Sequence, residues 1–253
     1  MNIEVDHISV TINKKCIIAA ICLTVEPRQF VGILGANGSG KSTLLKSITK
    51  IIQPDSGSIR INDRCISQVS YAELAQQIAV VGQFNSMDVD YTVTEFVMMG
   101  RYPHKKKYES MTAVDHALVK QALHELGMSD YANRKVMGLS GGEKQRIVIA
   151  RAIAQQTPCL ILDEPTNHMD IKHQLQLFTM LKAMEKTVIT AIHDMALAYN
   201  YCDKLYALKD GRLLLSGRPE EVITKENVKQ LFGIDIALLR CEKENKVAVL
   251  YEG

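Results

Sequence analysis

Residues 35–43 read Gly35-Ala36-Asn37-Gly38-Ser39-Gly40-Lys41-Ser42-Thr43, and the rest of the chain is interpreted from them. An apolar run, Phe30-Val31-Gly32-Ile33-Leu34, comes before, and a helical pattern, Leu44-Leu45-Lys46-Ser47-Ile48, follows. The order is strand, glycine-rich loop, helix. Gly35, Gly40, Lys41 and Ser42 stand at the phosphate-loop spacing G-x-x-x-x-G-K-[ST]. Glycines let the backbone turn sharply and aim its N–H groups at a polyphosphate. The next helix opens with unpaired donors and a positive dipole end, which favour the same anion. Lys41 adds a full positive charge, and Ser42 offers the hard oxygen that Mg²⁺ takes. The loop alone says "nucleoside triphosphate": kinases, GTPases, helicases and transport motors share it.

With 253 residues the chain suits one large α/β domain, or a core with an inserted subdomain. An apolar content of 47% permits a substantial core. A net charge of +2 gives no electrostatic case for nucleic acid. None of the six cysteines forms a C-x-x-C pair, so they read as small apolar residues or free thiols, which fits a reducing cytoplasm. The N-terminus is not a secretory signal, and no apolar run approaches the roughly 18 residues of a membrane span. Any membrane role is expected to be peripheral, through a partner.

Along the chain, residues 3–24 look β-rich. Gln53-Pro54-Asp55-Ser56-Gly57 is a turn, and residues 58–63 alternate as a strand. Tyr71–Gln77 is expected to be a short helix before the strand Ile78–Gly82, which runs into Gln83. Thr92-Val93-Thr94-Glu95 has capping-box spacing and predicts a helix start. In residues 112–126, Val114, Leu118, Ala122 and Leu126 suggest a buried helix face, and the run Lys105–Lys107 reads as a solvated loop. Ser140 and Glu143 repeat the capping-box spacing, with Gly141 and Gly142 leaving that helix start open to an anion. Cys159-Leu160-Ile161-Leu162 suits a central parallel strand and ends in Asp163-Glu164. Two carboxylates at the mouth of a buried strand suggest Mg²⁺ binding at Asp163 and activation of water by Glu164. A helix is expected over 175–184 and a buried strand over Thr187–Ile192, ending in His193. A D-G hairpin is expected around Asp210-Gly211, helical structure over 219–232, and one strand near Val247–Leu250.

Four apolar strands therefore finish in residues suited to phosphate chemistry: Lys41 and Ser42, Gln83, Asp163 and Glu164, and His193. In an open parallel sheet, ligands bind at the carboxyl ends of the strands, so these residues are expected to cluster.

The ordered set of Gly35–Ser42, Gln83, Leu139-Ser140-Gly141-Gly142-Glu143, residues 159–164, Asp170 and His193 resembles the nucleotide-binding subunit of ATP-binding cassette (ABC) transporters. The resemblance reaches to about Phe232. It implies an α/β fold with a P-loop NTPase (RecA-like) core, an N-terminal antiparallel β-subdomain and an inserted α-helical subdomain. The implied division is a core of residues 1–83 and 157–232, an insertion of 84–156 and a C-terminal extension of 233–253. Carried over, Gly35, Ala36, Asn37, Gly38, Ser39, Gly40, Lys41, Ser42 and Thr43 bind nucleotide. Ser42 and Gln83 ligate Mg²⁺, with Asp163 in its outer shell. Glu164 is the general base, and His193 senses the γ-phosphate. Leu139, Ser140, Gly141, Gly142 and Glu143 contact ATP on a second copy, and Asp170 lies at that interface. A head-to-tail homodimer on two integral-membrane permease subunits is implied, at the cytoplasmic face of the membrane, served indirectly by an extracytoplasmic substrate-binding protein.

The stretch Val93–His104 is similar to the V-x-E-x-V-x-x-G-R-x-P-H pattern of importers for iron–siderophore, haem and cobalamin. Two places depart from the family pattern. Ile12 stands where an adenine-stacking aromatic is usual, and Pro27-Arg28-Gln29 replaces P-G-[ED]. An exporter subunit and a non-transport ABC ATPase are the alternative readings.

Overall fold

The computed structural model describes residues 1–82, 90–167, 169–241 and 246–252. In chain order its strands and α-helices are β1 (Ile3–Ile12), β2 (Lys15–Val25), β3 (Phe30–Leu34), α1 (Lys41–Ile48), β4 (Ser56–Ile61), β5 (Arg64–Cys65), α2 (Tyr71–Gln77), β6 (Ile78–Val81), α3 (Val93–Met98), α4 (Ala113–Glu125) and α5 (Gly141–Ala154). There follow β7 (Cys159–Asp163), α6 (Ile171–Ala183), β8 (Thr187–Ala191), α7 (Met195–Tyr201), β9 (Lys204–Lys209), β10 (Arg212–Gly217), α8 (Pro219–Val222), α9 (Lys225–Phe232), β11 (Asp235–Cys241) and β12 (Lys246–Glu252). Residues group into two compact units, Met1–Val69 with Met184–Gly253, and Ser70–Ala183. Among the described residues no helix is long and apolar enough to cross a membrane.

In the first unit, β1 pairs antiparallel with β2 and β4, and β5 pairs with β4. Ile3, Val5, Ile8 and Val10 are buried, while Ile12 at the strand end is exposed. β3 pairs in parallel with both β8 and β9, so it has no free edge, and all five of its residues are buried. That placement requires an unbroken apolar run rather than alternation. β8 is equally buried but carries Thr187. Its Oγ1 accepts from the Met1 ammonium and from the Arg28 N–H, each at 3.0 Å, which satisfies the hydroxyl. The β9–β10 hairpin turns at Asp210 and Gly211, with φ of 48° and 76°. Positive φ at both positions is what a two-residue turn matched to strand twist demands, and D-G meets it cheaply.

Two elements here escaped the sequence reading. α7 starts where the Asp194 side chain accepts from the Leu197 N–H. The expected lone strand near Val247 is half of the antiparallel hairpin β11–β12. β11 is mostly exposed and lacks a clean apolar alternation, so periodicity does not reveal it. Asn200 anchors the hairpin, donating to the Val247 carbonyl and accepting from its N–H at 2.8 Å each.

In the second unit, β6 and β7 pair in parallel. Both sequence-read capping boxes form, at Thr92 on α3 and Ser140 on α5, and Ser70 and Thr112 make two more. The expected α4 face holds in part: Ala122 and Leu126 are buried and Leu118 is half-buried, but Val114 is 66% exposed, with Asp115 buried in its place beside Val119 and Leu123. The reason is an ion cluster. Arg101, buried, donates from Nε to Asp115 at 2.9 Å and from its terminal nitrogen to the carbonyls of Ala154 and Gln155. Asp115 also pairs with Lys105, so that lysine is not part of a solvated loop. A charged residue takes the inner position at the first turn of α4 and leaves Val114 outside. α6 begins at Ile171, four residues before the expected start, because its first turn, exposed at Ile171 and Lys172, carries no apolar period.

Candidate functional site

Gly40, with φ 101°, ends the phosphate loop and is the N-cap of α1. A Cβ there would come within 2.4 Å of Ile18 Cγ2, so only glycine passes. No side chain caps α1, which leaves its first N–H groups and positive dipole end open. Lys41 is buried, and its Nζ donates to the carbonyls of Gly35 and Ala36 at 2.8 and 3.0 Å. The ammonium is thus held at the loop by the chain itself. Ser39 Oγ is buried with no hydrogen-bond partner among the described residues. Ala36, Asn37 and Gly38 are exposed, while Ser42 and Thr43 are half-buried. A concave run of donors with a fixed cation and an orphaned hydroxyl fits a polyphosphate.

β8 runs beside β3 in the same direction, and the pairing continues past its end through the Ile192 N–H to the Ile33 carbonyl. The chain then presents His193, exposed, at the edge where β3 releases the phosphate loop. The first unit therefore brings Gly35–Thr43 and His193 to one edge.

In the second unit, β7 ends in buried Asp163, followed by half-buried Glu164. Glu164 has φ 51°, left-handed for a non-glycine residue, a conformation that costs energy and gathers at functional turns. Asn167 braces it, its N–H reaching the Glu164 carbonyl at 3.3 Å and its Nδ2 reaching Oε2 at 3.1 Å. Sequence reading gave Asn167 no role of its own; an Asn in the turn that follows a strand-end acid is the signal that could have marked it. β6 pairs Val81 with Leu162, so the chain leaves both strands at the same edge. Gln83 lies outside the described residues.

Ser140 and Glu143 lock the start of α5. Glu143 accepts from the Ser140 N–H at 2.7 Å and from its hydroxyl at 2.8 Å. These bonds, the backbone one first, hold the Glu143 carboxyl below its usual range. Leu139 is buried beneath, and Gly141 and Gly142 occupy the first turn with no Cβ to shield their N–H groups. Asp170, exposed, accepts from the His173 N–H at 2.9 Å and faces its Nδ1 at 2.7 Å. Those contacts, the backbone N–H first, hold its carboxyl low. Arg146 donates to His173 Nε2 at 3.0 Å. Arginine can only donate, so Nε2 accepts and Nδ1 carries the proton to Asp170. Arg146 and His173, also missed from sequence, thereby join α5 to Asp170.

A profile of the ABC transporter family matches residues 18–167, more than half of the chain. The chain belongs to the ABC transporter family. Within it, the chain is 32% identical over 253 residues to the iron(3+)-hydroxamate import ATP-binding protein FhuC of Bacillus subtilis, covering 98% of this chain and 94% of that one. It is 35% identical over 242 residues to the cobalamin import ATP-binding protein BtuD of Halobacterium salinarum, covering 94% of this chain but only 60% of that relative's length. A solved structure, reported as an inward-facing metal-chelate type ABC transporter, overlays with a TM-score of 0.84 at 26% identity, covering 99% of this chain and 96% of that one. The dimeric bacterial ABC transporter cassette MJ0796 overlays at 0.77 with 27% identity, covering 86% and 98%. The fold of this ABC chain is the α/β P-loop NTPase fold, with the antiparallel β-sheet of β1, β2, β4 and β5 as a subdomain.

The Ser42 hydroxyl and the Asp163 carboxylate are hard oxygen donors, the kind that fits Mg²⁺ beside phosphates.

Proposed function

We propose that this chain is the ATP-hydrolysing motor of an ABC importer for a metal chelate of the iron–siderophore, haem or cobalamin type. It works at the cytoplasmic face of the membrane as a head-to-tail homodimer bound to two permease subunits, with a substrate-binding protein delivering cargo from outside. The observation that carries this reading is the Gly35–Thr43 loop, uncapped and charged by Lys41, in a chain similar over nearly its full length to an import ATP-binding protein.

In this reading, Lys41 and the loop N–H groups bind the β- and γ-phosphates. Ser42, Gln83 and Asp163 would hold Mg²⁺, and the ion would offset phosphate charge. Glu164, fixed by Asn167, orients a water and takes its proton, and His193 contacts the γ-phosphate. Ser140, Gly141 and Gly142 of a second copy close over the same nucleotide, with Asp170 at the interface. Closure on ATP and reopening after hydrolysis supply the stroke that the permease subunits use.

Glu164→Gln tests the assignment. The variant should bind ATP, accumulate as a dimer by size-exclusion chromatography with light scattering, and lose hydrolysis by roughly a hundredfold or more. Turnover within a few-fold of wild type would remove Glu164 from this role.

A further inference from the structure

β1 carries an irregularity that its neighbours hold in place. Val5 pairs with Leu23 and Ile8 with Ile21, so Asp6 and His7 together face the single residue Cys22. His7 has φ 47°, in the left-handed region. This is a β-bulge, a device that re-aims side chains. On the other side, β4 presents Gly57, where a Cβ would come within 2.4 Å of the Asp6 carbonyl oxygen and 2.5 Å of the His7 carbonyl. The bulge is therefore seated against a glycine that no larger residue can replace.

The result is a cluster of three kinds of donor. A carboxylate oxygen of Asp6, a ring nitrogen of His7 and Sγ of Cys22 all lie within 4.8 Å of one another. The His7 N–H donates to Cys22 Sγ at 3.2 Å, and His7 Nδ1 is 2.6 Å from Asp6 Oδ1. Asp6 and His7 are exposed and Cys22 is half-buried. None of the three belongs to the nucleotide site.

We propose that Asp6, His7 and Cys22 form a binding site for a borderline transition-metal dication of the Zn²⁺ class. Thiolate, imidazole and carboxylate together are the donor mix such ions take, whereas Mg²⁺ and Ca²⁺ prefer oxygen alone. Bonds of about 2.0–2.3 Å place donors roughly 3.3–3.8 Å apart. Rotation of the exposed Asp6 and His7 side chains brings the present set to that spacing, opening the 2.6 Å Asp6–His7 pair to admit the ion. Binding releases the Cys22 thiol proton to solvent. Asp6 and Cys22 also line a cavity of about 490 Å³ with Thr24, Arg60 and Lys204. That cavity leaves a fourth coordination position open to water or a small anion. Bound metal ties β1 to β2 and stabilises the folded chain by mass action.

The test is titration of the nucleotide-free, full-length chain with Co²⁺, whose thiolate complexes give a sulfur-to-metal charge-transfer band. A single ion per chain should bind with that band, Zn²⁺ should displace it, and saturating Zn²⁺ should raise the thermal midpoint. Cys22→Ser should abolish the band, and Cys65→Ser should leave it intact. Asp6→Asn, at an exposed position that no core contact depends on, should weaken Co²⁺ at least about tenfold, as should His7→Gln. A band that survives Cys22→Ser, or Co²⁺ affinity equal in wild type and Asp6→Asn, overturns the proposal. Circular dichroism melts confirm that each variant is folded.

Discussion

Gly40 and Gly38 share the phosphate loop and have positive φ, yet their surroundings differ. A Cβ at Gly40 meets Ile18 Cγ2 at 2.4 Å and the Ile17 carbonyl at 3.2 Å, whereas a Cβ at Gly38 meets nothing within 4 Å. Gly40→Ala therefore carries both backbone strain and a clash with β2. It should cost about 2 kcal/mol or more and lower the melting temperature by roughly 4–8 °C. Gly38→Ala carries only the strain and should cost about half as much. Calorimetric melts of the two variants check the order, and ATP titration should show the larger loss for Gly40→Ala. Equal melting temperatures would mean that β2 does not confine the loop. The residue scale also shows why Glu164 needs Asn167. On that left-handed turn the Asn167 amide holds Oε2 of the carboxylate at 3.1 Å.

At the scale of elements, the Gly100-Arg101-Tyr102-Pro103-His104 stretch is a clamp. Arg101 reaches Asp115 on α4 and the carbonyls that end α5, and His104 Nε2 lies 2.6 Å from the Gln155 carbonyl. The Gln76 amide donates to the Pro103 carbonyl at 2.8 Å, bringing in α2. Removing one partner of a buried pair strands the other. Arg101→Met should thus destabilise the chain by about 3 kcal/mol in urea unfolding. Lys105 first, then Thr112 and Arg101, hold the Asp115 carboxyl well below the usual range. A carboxyl depressed in the folded state contributes stability that is complete above its unfolded value, about pH 4, and is lost as pH falls below it. The stability gap between wild type and Asp115→Asn should therefore be widest at pH 6–7 and narrow toward pH 3. A gap that is constant with pH would show that the ionised carboxylate is not what matters. Charge also explains why Val114 at the start of α4 is exposed while Asp115 is buried: a period of apolar residues carries no mark for a carboxylate that is buried because it is paired.

At the scale of the whole molecule, one chain holds one phosphate loop and one Leu139–Glu143 segment. The proposed head-to-tail dimer makes a distinctive expectation. Lys41→Ala and Ser140→Arg should each be inactive alone. Mixed in equal amounts, they should recover up to about a quarter of wild-type ATPase activity, because half the dimers are mixed and each of those has one intact site of two. Lack of recovery from two variants that exchange subunits would refute sharing of the site between copies. The same scale governs Asp170. Its carboxylate meets His173, and through His173 Arg146 on α5, so the interface proposed at Asp170 is braced from inside each copy.

Local chemistry made much of this protein legible in its sequence. The phosphate loop, the capping boxes at Thr92 and Ser140, the buried strands β3, β7 and β8, and the D-G hairpin all follow from residues within a few positions of one another. Backbone strain, capping and hydrogen-bond donors act over that range, so spacing alone reveals them. Other features depend on residues far apart in the chain. Arg101 meets Ala154, Asn200 holds Val247, Met1 satisfies Thr187, and a one-residue slip in β1 sets Asp6 and His7 opposite Cys22. Each is a pairing of polar groups that burial or register forces together after the chain has folded back on itself. No sequence period records such pairings, because their partners are chosen by tertiary packing rather than by position along the chain.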